Sequence, residues 1–366
     1  MKPQAAGVDG ALGDGLEIVF IFQGGVGVVQ LGIEIGQAGA DDRVVQVERT
    51  VETVAPEVVF LLGAVIQEVE GCPAAETVGV EGDAAVQVAE KRTVVADIGP
   101  GGDLFGMAGG AAIAGVKPVV EILFVDFTLL VMDQLINQIA KYNFMTGGQG
   151  KAPMVLRTQG GVGNGLAGQH SQSLEALFYH IPGLKLVMPA TPYDAKGLLK
   201  ASIRDDSPVL FIENKKLYLT EGEVPDGDYI VPLGKADVKR SGSDVTIVTY
   251  SYMLLECLAA AKLLEEKGIS TEVIDLRTLQ PLDEETILQS LNKTGRLVVV
   301  HEAPVRGGIG GDIISTVLEK AFYSLEAPVK RIGGKNTTIP FNINLEKLCI
   351  PSVEDIVDGV VEVMNS

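Results

Sequence analysis

The sequence predicts an α/β protein. Two domains, each a mostly parallel sheet with helices on both faces, follow an N-terminal segment of different character. Three observations carry this. From about residue 103 short apolar strands alternate with segments of helical spacing. A polar stretch with several Gly and Pro over 214–243 divides that alternation in two. Residues 1–102 contain no Ser, Asn, His, Tyr or Trp, a composition unlike ordinary domains. The division is an anomalous segment over 1–102, a first domain over 103–225, a linker over 226–243 and a second domain over 244–366.

In chain order, "EIVFIFQ" and "RVVQVERTVETV" have strand-like composition with partial alternation. They belong to an acidic, valine-rich β segment or to a stretch misread from its gene. "KPVVEILF" (117–124) reads as a buried strand, and "TLLVMDQLINQIAKYN" (128–143) has apolar residues at helical spacing. "PMVLR" is a strand, "SLEALFYHI" a short helix and "LKLVMP" a strand. "TPYDAKGLLKASIRD" is a helix with Thr191 as its cap and Pro192 at its first position. "PVLFIE" closes the first unit. In the second, "DVTIVTY" is a strand, and "MLLECLAAAKLLEEKG" is a helix ended by Gly268. "STEVIDL" is a strand, and "DEETILQSLNKTG" is a helix with acids in its first turn. "RLVVVHE", "GGDIISTVLEKAF" and "APVKRI" are strand, helix and strand. Alternation with short links implies parallel sheets buried on both faces.

The chain carries a net charge of −19, which disfavours nucleic acid and anionic membrane as partners. Residues 1–102 hold 16 acidic and 5 basic residues, so −11 of that charge lies there. Runs such as "VVFLLGAVI" fall short of the roughly 18 apolar residues of a membrane span. The opening "MKPQAAGVDGALGDG" does not read as a signal peptide. Cys72, Cys257 and Cys349 are odd in number and far apart, which argues against a disulfide framework or a zinc cluster. A reducing cytoplasm is the expected location.

There is no phosphate loop ending in GK[ST] and no HExxH. "GGIGGD" (307–312) sits between a strand and a helix but lacks the full GxGxxG spacing, so a tight turn is favoured over a phosphate site. Of the three histidines, His170 in "GLAGQHSQSLEA" stands out. It lies in a strand-to-helix loop, where parallel sheets display ligand-binding groups. His180 and His301 offer less, and core packing remains the plain alternative for each.

"MTGGQGKAPMVLRTQGGVGNGLAGQHSQSLEA", "HIPGLKLVMPATPYDAKGLLKASIRDDSPVLFIENKKLY" and "VIDLRTLQPLDEETILQSLNKTGRLVVVHEAP" resemble the beta subunit of the thiamine-diphosphate-dependent first component of 2-oxo acid dehydrogenase complexes, of the pyruvate or acetoin type. The resemblance runs from about 103 to the C-terminus. It implies a transketolase-like pyrimidine-binding domain followed by a transketolase C-terminal domain. It also implies a tetramer of two alpha and two beta chains, with the diphosphate and its magnesium held by the alpha chain. The resemblance further implies that the acyl group passes to a lipoyl acyltransferase core. Carried over by position, Phe127 stacks on the aminopyrimidine and Leu123 makes a neighbouring apolar contact. Core packing is the plain alternative for Phe127. His170 falls on the family's active-site histidine, where an imidazole can handle protons near neutral pH. Asp205 falls on a structural potassium loop.

One expected residue is missing. The resemblance implies a glutamate that hydrogen-bonds a ring nitrogen of the aminopyrimidine and so favours the tautomer that activates the cofactor. Counted back from "DLFGMAGGAAIAG", that position is Gly101. Glycine has no side chain for this work. Two readings follow: a catalytic beta subunit whose first hundred residues are misread, or a non-catalytic assembly subunit that has lost this step.

Overall fold

The computed structural model describes the backbone of residues 15–21, 28–38, 42–50, 88–89, 93–97 and 102–366, and side chains from 105 onward. Gly101 and Cys72 lie outside the described residues. The chain divides into two units, the first comprising 1–68 with 80–84, and the second the remainder. In the first unit β1 (Gly15–Ile21), β2 (Val28–Ala38) and β3 (Asp42–Thr50) form an antiparallel sheet in that order.

The second unit holds two sheets. The larger contains β4 (Val88–Ala89), β5 (Thr93–Asp97), β6 (Lys117–Ile122), β7 (Val155–Gly160), β8 (Lys185–Val187) and β9 (Val209–Asn214). The smaller contains β10 (Asp237–Arg240), β11 (Val245–Thr249), β12 (Thr271–Asp275), β14 (Leu297–Pro304) and β15 (Lys330–Gly334), in the order β10-β12-β11-β14-β15. One strand from the later sequence, β13 (Thr278–Gln280), returns to the larger sheet, whose order is β13-β8-β9-β7-β6-β5-β4. The inner pairings of both sheets are parallel, while β4, β10 and β13 join antiparallel. The inner strands carry fully buried Ile122, Leu156, Leu210, Ile247 and Val298, as expected where helices cover both faces.

Three features depart from the alternation read in the sequence. The larger sheet begins before residue 103, because β5 pairs in register with β6, Val95 opposite Val119. The stretch read as a linker contains β10, which pairs with β12. The segment read as one helix over 128–143 is a 3-10 turn (Val125–Val131), a π-helical turn (Asp133–Ile139) and a short α-helix (Ala140–Met145). Its apolar spacing survives, since Val131, Leu135 and Ile139 are all buried. The hydrogen-bond ladder is what differs, and apolar spacing alone does not specify it.

Helix boundaries follow local chemistry. Helix Pro192–Arg204 starts at Thr191, whose hydroxyl accepts from Asp194 N–H at 3.1 Å. Helix Glu284–Thr294 starts at Asp283 and ends at Gly295, whose φ of 68° is left-handed. Two C-terminal helices went unread in the sequence. One is Ile343–Lys347; the other, Val353–Met364, opens on a Ser352/Asp355 capping box.

Candidate active site

β6 and β7 are adjacent and parallel, so the loops that leave their carboxyl ends lie side by side. The first carries Leu123, Phe124 and Phe127. The second, residues 161–174, carries His170. The half-buried His170 ring meets both phenylalanines edge-on, with centroids 4.9 Å from Phe124 and 5.2 Å from Phe127. Leu123 points outward and is 40% exposed. The ring contact thus brings His170 and Phe127 together, while Leu123 is placed by the chain alone, next to Phe124. Phe124 was missed, although "LFVDF" places it beside them.

Beneath this cluster lies a set of charged groups. The buried Lys215, just past β9, donates from Nζ to the His170 carbonyl, and its ammonium lies 5.1 Å from the centre of the Phe124 ring. Burial lowers the Lys215 pKa, while Asp126, Glu302 and Glu346 act to raise it. Asp126 is buried, and its Oδ1 accepts from Gln172 Nε2 at 2.8 Å. Its Oδ2 has no hydrogen-bond partner among the described residues.

The start of the His170 loop is held by two buried carboxylates from the later sequence. Glu302 accepts from Val162 N–H at 2.7 Å, from the Ser173 hydroxyl at 3.3 Å and from Asn214 Nδ2 at 2.7 Å. Burial pushes its pKa up, against the pull of these donors. Glu346 accepts from Gly163 N–H at 2.9 Å and Gly165 N–H at 3.2 Å. Nearby, Glu175 is fully buried and accepts from Tyr250 Oη at 2.7 Å; burial raises its pKa to about 7. Lys215 and Glu302 lie within the motifs "PVLFIENKKLY" and "RLVVVHEAP", and Glu346 lies outside them; none was singled out, because each acts on a loop far away along the chain.

The other expected residues behave differently. Asp205 ends helix Pro192–Arg204, and its carboxylate pairs with Lys185 and accepts from Ser207 N–H at 2.8 Å. Lys117 Nζ donates to the Arg204 carbonyl at 2.8 Å and the Asp205 carbonyl at 3.1 Å. Ammonium groups already occupy this loop, so its residues do not fit an additional potassium ion. His180 is exposed. His301 is fully buried, with Nδ1 2.8 Å from the Ala303 carbonyl and Nε2 unpartnered. Glycines of "GGIGGD" close on its ring: a Cβ at Gly308 or Gly310 would lie 2.7 Å from it. Among the described residues, no group of three His, Cys, Asp or Glu side chains could hold a metal ion.

The transketolase pyrimidine-binding domain family matches residues 103–220, and the transketolase C-terminal domain family matches 234–356. An acetoin:2,6-dichlorophenolindophenol oxidoreductase beta subunit from Cupriavidus necator is 49% identical over 251 residues, 69% of this chain and 74% of that protein. A pyruvate dehydrogenase E1 component beta subunit from Rickettsia felis is 41% identical over 312 residues, 85% of this chain and 94% of that one. The chain belongs to the beta-subunit family of the pyruvate and acetoin dehydrogenase first component. The Rickettsia match is longer than the stretch from 103 to the C-terminus, so it reaches into the acidic N-terminal segment. A solved split-gene transketolase, described as an inactive beta4 tetramer, shares the fold with a TM-score of 0.61 at 24% identity. That likeness covers 72% of this chain and 81% of the other. In this family setting, the loops after β6 and β7 lie within the pyrimidine-binding domain, and Glu302 and Glu346 within the C-terminal domain.

Proposed function

We propose that this beta subunit completes a thiamine-diphosphate site with a cognate alpha chain, in a pyruvate or acetoin dehydrogenase. The single observation that carries this is the His170 ring set edge-on against Phe124 and Phe127, beside the exposed Leu123. An apolar shelf next to an imidazole, with the orphaned Asp126 Oδ2 buried close by in sequence, fits a flat aminopyrimidine. When bound, the cofactor supplies the nucleophilic carbon and the electron sink for cleavage next to a carbonyl. Phe127 supplies a stacking surface and Leu123 an apolar contact. His170 holds or gives a proton at a ring nitrogen as charge develops on the substrate oxygen. The closed phenylalanine edges keep water from one side of that imidazole.

The fuller assembly in this reading is two alpha and two beta chains, with magnesium and the diphosphate on the alpha chain. The acyl group passes on to a lipoyl acyltransferase core. A reducing cytoplasm is the location that goes with this reading.

Gly101 favours a second reading, in which the chain assembles and binds cofactor without turnover. The complex of this chain with an alpha partner, assayed for pyruvate- and acetoin-dependent dye reduction, separates the two. Turnover that falls in a His170→Ala variant supports the catalytic reading. Absence of turnover, with activity appearing on Gly101→Glu, supports the assembly reading. Mass mapping of native protein with a glutamate-specific protease tests the first hundred residues directly: recovery of "GDAAVQVAE" makes Gly101 a true loss.

A further inference from the structure

We infer that Glu302 and Glu346, both in the C-terminal domain, are positioning residues that set where the pyrimidine-binding domain presents His170. The inference rests on the reading of His170 as the proton-handling group, and it extends that reading to a part of the chain remote from the chemistry.

The His170 loop cannot hold a shape by itself. Gly161, Gly163 and Gly165 have φ of 82°, 126° and 65°, in the left-handed region where glycine is freely accommodated and other residues are not. Such a run turns its N–H groups toward one concave side, as in a nest that binds an anion. Here the anions are internal. Glu302 receives the N–H of Val162, and Glu346 receives those of Gly163 and Gly165. Glu302 also receives the hydroxyl of Ser173, so one carboxylate joins the two ends of the loop. Space enforces the match: a Cβ at Gly161 would lie 2.8 Å from Glu302 Oε1, and one at Gly165 would lie 2.8 Å from the Phe341 carbonyl.

Each partner sits on a fixed element. Glu302 lies within β14, and Glu346 lies in helix Ile343–Lys347 with 1% of its surface exposed. A buried N–H left without an acceptor is disfavoured, so the loop follows its carboxylates. At the far end Lys215 grips the His170 carbonyl. The ring is therefore located by two carboxylates and an ammonium, with the phenylalanines as its walls. Displacement of such a group by about 1 Å is enough to lower a rate by about 10²-fold.

The test uses the full chain assembled with its alpha partner. Glu302→Gln and Glu346→Gln keep the side-chain volume but set an amide NH2 against a donor that needs an acceptor. Histidine carbethoxylation by diethyl pyrocarbonate, read by peptide mass mapping, reports His170 without requiring activity. The exposed His180 serves as the internal reference. We expect labelling of His170 relative to His180 to rise about threefold in each variant, with kcat down roughly tenfold and substrate KM little changed. An unchanged labelling ratio in both variants overturns the positioning role, whatever the turnover. Full turnover in His170→Gln overturns the functional reading instead, and the labelling ratio still decides the positioning. If one variant fails to fold, the other carries the same decision, because each removes a different set of contacts.

Discussion

The two sheets each send a glycine-rich loop from a strand end to a helix, and each loop is paired with a histidine. They use glycine in opposite ways. After β7, glycines at 161, 163 and 165 turn backbone donors toward Glu302 and Glu346, and His170 remains half-buried with its ring in an aromatic cleft. After β14, glycines at 308 and 310, with Gly333 on β15, pack directly on the His301 ring and leave no room beside it. Glycine next to histidine is thus not a site by itself. What separates the two is whether the glycines free the backbone to be held or free space to be filled.

The largest expected effect breaks the comparison outright. His170→Ala should lower turnover of the assembled complex by about 10²–10⁴-fold while its melting temperature stays near that of the wild type. His301→Asn should do the reverse, lowering stability with turnover per folded molecule kept. Equal loss of turnover in both would mean that the buried ring also serves the chemistry.

A pH experiment sharpens the contrast between buried groups. Burial lowers the His301 pKa to about 4, with the Ala303 carbonyl acting to raise it and Arg331 to lower it. The unfolded chain takes up that proton first as pH falls below about 6.5. The stability that His301 contributes is then lost between about pH 6.5 and 4, by roughly 3 kcal/mol. Glu175 has the opposite sign. Burial raises its pKa to about 7, so the unfolded chain loses that proton first as pH rises. Stability falls between about pH 4.5 and 7, again by roughly 3 kcal/mol. Thermal melts across pH 4.5–8 should show Glu175→Gln gaining on the wild type as pH rises. His301→Asn should gain on it as pH falls. Parallel curves would show that neither group titrates differently on folding.

The glycine cage supplies a smaller effect. Gly310→Ala places a methyl 2.7 Å from His301 Nε2 and should destabilise by about 1–3 kcal/mol through overpacking. Combined with His301→Ala the penalty should largely vanish, because the methyl then has space. Additive losses would place the strain elsewhere in the helix start.

Much of the fold was legible because strand and helix periods carry it. The inner strands of both sheets, the Thr191 cap and the Gly268 and Gly295 stops are written in local residues. β10 and β13 were not, since short edge strands owe their pairing to a partner rather than to a pattern. The candidate site divides in the same way. His170 lies in a long motif shared with the family, and Phe127 in the short "LFVDF" that precedes it. Glu302 lies in such a long motif and Glu346 does not, yet the meaning of each depends on a loop 140 and 183 residues earlier.

The smallest expected effect is an absence of one. The loop at Asp205 falls where the family resemblance implies potassium, yet Lys117 donates to the Arg204 and Asp205 carbonyls and Lys185 pairs with the Asp205 carboxylate. An ammonium is close to potassium in charge and satisfies carbonyl oxygens directly, so the loop has its cation covalently attached. The melting temperature of the wild type should therefore agree within about 1 °C in potassium, sodium and choline chloride at one ionic strength. Lys117→Met frees both carbonyls, and potassium should then raise the melting temperature more than sodium does. A potassium-specific rise in the wild type would show that the loop takes an ion in addition to Lys117. The ammonium would then act as a lid on that ion, and the fit argued from these two carbonyls would be wrong.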